Sequence, residues 1–216
     1  MKRLNVAVIG AGILGEIHAE TYAQYDKSEL LWVCDLCKDR SEKIAAKFNC
    51  KSTTDYMEIA NDKNIQVVNI ATLDFAHTKI ALQMIKSGKD LLIEKPLTAD
   101  VAEAESIVNE AKKANVKVMV DFQNRWSPTF SQIKKSIENR EIRKPVMGYI
   151  RPSNPYWVPM KIITWGSKSG PQWFLFPHII DLMRWFIGQE ASLVYAVGTK
   201  GILKEKGIDA YECNTS

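Results

Sequence analysis

The sequence predicts an α/β fold: a doubly wound parallel sheet in residues 1–121, followed by a partial α+β domain with a mainly antiparallel sheet in residues 122–216. Three observations carry this. Between Leu4 and Val120, short apolar runs alternate with stretches whose apolar residues recur at helical spacing, the pattern of strands joined by crossover helices. The runs are near-continuously apolar, as strands covered on both faces require. After Asp121 the composition changes, because five of the six tryptophans and the prolines Pro152, Pro155, Pro159, Pro171 and Pro177 crowd in before Gly188.

In order along the chain, strands are predicted at Leu4 to Ile9, Leu30 to Cys34, Val67 to Ile70, Leu91 to Ile93 and Val116 to Val120. Helices are predicted between them, at Gly15 to Tyr25, Arg40 to Phe48, Thr78 to Lys86 and Asp100 to Ala114. Right-handed crossovers make this a doubly wound sheet, in which ligands bind outside the carboxyl ends of the strands. In the second region a strand is expected at Pro145 to Arg151, a helix at Ile179 to Ile187 and a strand at Leu193 to Thr199. The long aromatic segment from Pro152 to Pro171 reads as a functional loop. So few strands leave a sheet's face and edges uncovered, so the chain reads as truncated.

Two motifs bring chemistry to the carboxyl edge of the first sheet. Gly10-x-Gly12-x-x-Gly15 follows the first strand and opens a helix, and Asp35 ends the next strand, 20 residues past the last glycine. In that context the glycines allow a tight turn, a close approach to a pyrophosphate and close helix packing, while a carboxylate accepts from a ribose 2′-hydroxyl. Asp35 therefore favours NAD, and Lys38 and Arg40 just beyond it keep NADP open. Glu94-Lys95-Pro96 closes the run Leu91-Leu92-Ile93 and puts a lysine at the carboxyl end of a buried strand.

With these elements in order, the chain resembles the Gfo/Idh/MocA family of oxidoreductases. The resemblance rests on Val8-Ile9-Gly10-Ala11-Gly12-Ile13-Leu14-Gly15, on Ala71-Thr72 with His77, on Gly88 through Leu97, and on His178-Ile179-Ile180-Asp181. It implies a Rossmann domain that holds the dinucleotide through that glycine loop, Asp35, Ala71, Thr72, His77, Glu94 and Lys95. It implies a second domain whose open antiparallel sheet covers the nicotinamide and commonly forms the subunit interface, so a homo-oligomer is expected of the complete protein. It further implies that Lys95 takes or orients the hydroxyl proton of a sugar, cyclitol or related polyol while hydride leaves the same carbon, with His178 as the second proton-transfer candidate. A cis Lys95–Pro96 bond is another implication.

The chain departs from the family pattern before His178, where Phe174 replaces the usual aspartate and Phe176 a small residue. Two readings follow: an enzyme that has moved its polar contacts elsewhere, or a dinucleotide-binding sensor that does not turn over. An inactive fragment of an enzyme is a third. Gln123, Arg125, Trp165 and Asp181 are candidate substrate contacts, with hinge packing, core packing and surface polarity as the alternatives. His18, in the first helix, reads as structural.

Composition narrows the partners. The 216 residues carry a formal net charge of +4, with 29 basic and 25 acidic residues interspersed, which asks for neither nucleic acid nor an anionic membrane. The start lacks a cleavage site and no stretch is apolar enough to span a bilayer, so a cytoplasmic protein is expected. Cys34-x-x-Cys37 has no second ligand pair, and no metal is expected.

Overall fold

The computed structural model describes residues 3–155, 157–163 and 165–211. The chain divides into two compact units, Met1–Asp121 and Phe122–Ser216.

The first unit is a six-stranded sheet in the order β3-β2-β1-β4-β5-β6, with every pairing parallel. Its strands are β1 (Leu4–Ile9), β2 (Ser28–Cys34), β3 (Lys51–Thr53), β4 (Val67–Ile70), β5 (Asp90–Glu94) and β6 (Val118–Asp121). Helices α1 (Ile13–Gln24), α2 (Lys38–Phe48), α3 (Tyr56–Asn61), α4 (His77–Lys86) and α5 (Val101–Ala114) make the connections. β3 and α3 escape the sequence reading, because Lys51-Ser-Thr has no apolar run and α3 is under two turns long. Asp55 nonetheless caps α3, accepting from Met57 N at 2.9 Å.

Both faces of the sheet are covered, which explains why its strands do not alternate. One face packs Val8, Leu30 and Val33 against Ala19 of α1 and Ile44 of α2. The other packs Ile9, Ile70 and Ile93 against Ile80, Met84 and Ile85 of α4 and Ile107 of α5. Burying each large aliphatic side chain contributes about 1.5–3 kcal/mol. The helix ends follow local chemistry: Asp100 accepts from Glu103 N at 2.9 Å to start α5, and Asn49 and Asn115 turn left-handed to stop α2 and α5.

The second unit is helical among its described residues: α6 (Pro128–Glu138), a π-helical turn at Val158–Ile162, α7 (Pro171–Phe174), α8 (Phe176–Ile187) and α9 (Ile202–Glu205). Phe130 of α6 meets Phe186 of α8 at 6.2 Å between ring centres, and Trp185 stacks on Phe186. The strands expected at Pro145 to Arg151 and Leu193 to Thr199 do not form; beyond a one-residue bridge at Thr199, no strand occurs among the described residues here. The described residues of this unit therefore carry helices without a sheet of their own. The cause is pairing. Val146, Met147, Tyr149, Leu193, Val194 and Tyr195 have strand-forming side chains, but all lie more than three-quarters exposed, with no neighbouring strand to take their backbone hydrogen bonds. No helix among the described residues is long and apolar enough to cross a membrane.

Candidate active site

The glycine loop lies where the sheet order reverses, between β1, which feeds β2, and its other neighbour β4. That is the crevice in which doubly wound sheets bind ligands. Gly10 has φ +104°, and a Cβ there would strike the Ala71 carbonyl at the end of β4. A Cβ on Gly15 would strike the Gly10 carbonyl, whereas Gly12 opens onto free space. α1 begins at Ile13 with no side chain capping it, so its first amides point toward the space beside Gly12 and are suited to a phosphate. Ile13 and Leu14 are exposed on this turn, and Ala11 is buried.

Asp35 ends β2 and organises the loop. Its Oδ2 accepts from Ala11 N at 2.8 Å, and its Oδ1 accepts from Cys37 N and from the Arg40 guanidinium, each at 2.8 Å. A carboxylate offers about four acceptor positions, so one remains for a ribose hydroxyl. Arg40, more than half exposed, is the cation that a 2′-phosphate would recruit instead. The glycine cradle, the uncapped helix start and this carboxylate fit a dinucleotide.

Lys95 leaves β5 next to Glu94 and is half-buried. Burial pushes its ammonium below the ordinary lysine range, opposed by the negative charges of Glu94 and Asp74. The Lys95–Pro96 bond is cis. His77, which the resemblance sets among the cofactor contacts, lies inside the fold at the start of α4. It is 1% exposed, and its Nδ1 lies 2.9 Å from the Pro96 carbonyl and its Nε2 3.2 Å from the Thr72 carbonyl. The ring bridges two loops from inside and presents no face to a ligand.

Glu94 is also turned inward, at 4% exposure, and its Oε1 lies 2.9 Å from His18 Nε2 on α1. Asp121 Oδ2 stands 3.6 Å from the same nitrogen. Among the described residues, His18, Glu94 and Asp121 are the group whose donor atoms, all within 4.8 Å of one another, could hold a metal ion. The 2.9 Å separation is that of a hydrogen bond between imidazole and carboxylate. The sequence reading missed this cluster. The available signal was spacing, since His18 lies three residues past Gly15 and so shares the helix face that packs on the sheet.

In the second unit, His178 sits in the first turn of α8, half-buried. Asp181, one turn on, is 4% exposed and takes a two-pronged contact from Arg125, Nε to Oδ2 at 2.7 Å and the terminal nitrogen to Oδ1 at 2.5 Å. Each Asp181 oxygen thus takes one bond from Arg125 within the unit, so the carboxylate's first role here is to hold that guanidinium. Arg125 keeps part of its guanidinium exposed over the Trp185 ring. Gln123 is exposed and Trp165 half-buried in a turn. Phe174 and Phe176 line a mainly apolar cavity of about 220 Å³ with Pro159, Ile163 and Leu203. The aromatic replacements before His178 therefore build an apolar wall.

The cysteine pair at the end of β2 stays unreactive on one side. Cys34 is buried and its thiol is pushed up to about 12 by burial and by Asp35. Cys37 is exposed and also free. Cys213 lies outside the described residues.

With this geometry in hand, comparison with known proteins is specific. The family model described as "Oxidoreductase family, NAD-binding Rossmann fold" matches residues 4–122. The chain is 28% identical to the myo-inositol 2-dehydrogenase of Thermotoga maritima, over 94% of this chain and 61% of that protein. It is 31% identical to the levoglucosan dehydrogenase of Pseudarthrobacter phenanthrenivorans, over 97% of this chain and 58% of that one. The crystal structure of myo-inositol 2-dehydrogenase from Lactobacillus plantarum superposes with a TM-score of 0.86 at 25% identity, covering 98% of this chain and 64% of that one. The chain thus spans about six tenths of these relatives' length. The glycine loop, Asp35 and the strand order all fall within the matched residues, and the chain belongs to the oxidoreductase family with the NAD-binding Rossmann fold.

Proposed function

We propose that this chain is the cofactor-binding and proton-transfer part of an NAD-dependent dehydrogenase acting on a CH–OH group of a cyclitol, sugar or related polyol. The observation that carries the reading is Lys95. It sits at the carboxyl end of β5, beside the loop in which Gly10 packs on Ala71, with its proton affinity already lowered by burial. Bound NAD would supply the hydride acceptor. The chain's own part is to fix the pyrophosphate on the amides at the start of α1, to accept from the ribose at Asp35, and to take the hydroxyl proton at Lys95 Nζ. An oxidised nicotinamide is cationic, and its approach would lower the lysine's proton affinity further. His178 is the second proton carrier of the proposal. The names of the relatives, inositol and levoglucosan dehydrogenases, support a polyhydroxylated ring as substrate. Self-association of the complete protein belongs to the same proposal.

Phe174 favours a second reading, a sensor that binds dinucleotide without turnover, because it replaces the acceptor carboxylate of the family pattern with an aromatic ring that lines an apolar cavity of the second unit. One experiment separates the two. The chain is incubated with NAD or NADP and a panel of inositols and sugars, following absorbance of the reduced nicotinamide, with Lys95→Ala alongside. Oxidation lost by at least about a hundredfold in Lys95→Ala supports the enzyme. Cofactor binding without oxidation supports the sensor.

A further inference from the structure

Lys95 is bracketed by two histidines through its chain neighbours. On one side His77 Nδ1 meets the Pro96 carbonyl at 2.9 Å, fixing the residue after Lys95 to the start of α4. On the other, His18 Nε2 meets Glu94 Oε1 at 2.9 Å, fixing the residue before it to α1, the helix that opens at the glycine loop. An ionised carboxylate can only accept, so in that contact the His18 nitrogen carries the proton.

The second bracket is under electrostatic load. Glu94 and Asp121 are register partners on the adjacent parallel strands β5 and β6, so two carboxylates stand side by side. Buried like charges are costly unless a cation or a proton lies between them. His18 is the group placed there, 2.9 Å from one carboxylate and 3.6 Å from the other. Burial and the neighbouring Glu94 also raise the Asp121 carboxyl's proton affinity, and His18 opposes that. Glu94 Oε2 is buried with no hydrogen-bond partner among the described residues, so the His18 contact is the hydrogen bond they offer this side chain. Tyr22, one helical turn beyond His18, packs its ring beside the imidazole and closes the cluster.

We propose that His18 is a positioning residue for Lys95: by clamping Glu94 it fixes the strand end from which Lys95 projects and ties it to the dinucleotide helix. The proposal rests on Lys95 as the proton acceptor. Without the clamp, Glu94 is left with no hydrogen-bond partner among the described residues, beside a lysine that it attracts, and Lys95 is held as the unreactive ammonium.

The test is acylation of lysines by acetic anhydride across pH, read peptide by peptide by mass spectrometry on the full chain. Exposed Lys113 serves as internal control. His18→Leu is expected to slow Lys95 labelling about threefold or more below its titration midpoint, corresponding to half a unit or more in proton affinity, with Lys113 unchanged. His18→Gln, whose amide can still donate to Glu94, is expected to restore most of the rate. If His18→Leu does not fold, His18→Asn, polar but too short to reach, takes its place. Lys95 labelling at the wild-type rate in the clampless variant, or slowed equally with Lys113, overturns the proposal, as does failure of His18→Gln to restore the rate. NAD titration of the same samples is independent. Lost NAD binding with the Lys95 response intact would remove the enzyme reading and leave the clamp. NAD binding with no Lys95 response would do the reverse.

Discussion

The two units show opposite relations between side-chain character and structure. In the first, every strand has a hydrogen-bonded neighbour and both sheet faces are covered, so Ile9, Ile70 and Ile93 are 3% exposed or less. In the second, residues with equal strand propensity, such as Val146 at 96% and Tyr195 at 87% exposure, remain irregular. Propensity describes fit to a pleated surface that must already exist. What orders the second unit is the helix pair α6 and α8, with the Arg125–Asp181 contact joining α8 to the turn at Gln123–Trp126.

This contrast can be broken by substitution. The largest effect is expected for Gly15→Val, which drives a branched side chain into the Gly10 carbonyl. The first unit should lose NAD binding and its cooperative unfolding transition, while Gly12→Ala, facing open space, should leave the fold intact and weaken NAD alone. Next, Ile93→Ala should cost about 2–5 kcal/mol in urea unfolding, whereas Val146→Ala should stay within about 0.5 kcal/mol. Equal costs would erase the distinction between the units. Asp181→Asn keeps the shape but removes the charge facing Arg125. It should loosen the second unit by about 1–3 kcal/mol, reported by the fluorescence of the tryptophans concentrated there, with hydrogen exchange in β1 and β4 unchanged. The smallest effect belongs to Asp100→Ala, about 1 kcal/mol through loss of the α5 cap.

How much of this was legible in the sequence follows the same division. The strands of the first unit were readable because burial on both faces writes itself as uninterrupted apolar runs, and β1 and β4 coincide with the predicted limits. β3 was not, since three residues of Lys-Ser-Thr join the sheet only through pairing with β2. Lys95 and the glycine loop could be placed because a sheet's carboxyl edge is a topological property. The partners of His77, Asp181 and Glu94 could not. Each bonds to a group 19 to 76 positions away in sequence, and such contacts leave no local period. The expected strands of the second unit failed for the complementary reason: the pattern was local, but the pairing it needs is not.

The pH dependence sharpens the assignment of Lys95. Its folded proton affinity lies below that of the unfolded chain, so between the two values the unfolded state binds more protons, and this group's contribution to stability rises with pH. Lys95→Met should therefore gain stability at neutral pH and lose that slope. Oxidation by the wild type should climb with pH through a midpoint below the ordinary lysine value of 10.5.

The central claim is that the first unit is a dinucleotide site reading its cofactor through Asp35. Titration of the chain with NAD and NADP, followed by calorimetry, tests it most directly. Saturable binding of NAD is expected, tighter than NADP, with the preference lost or inverted in Asp35→Ala, where Arg40 is released toward a 2′-phosphate. No binding of either nucleotide, or a preference indifferent to Asp35, would contradict it.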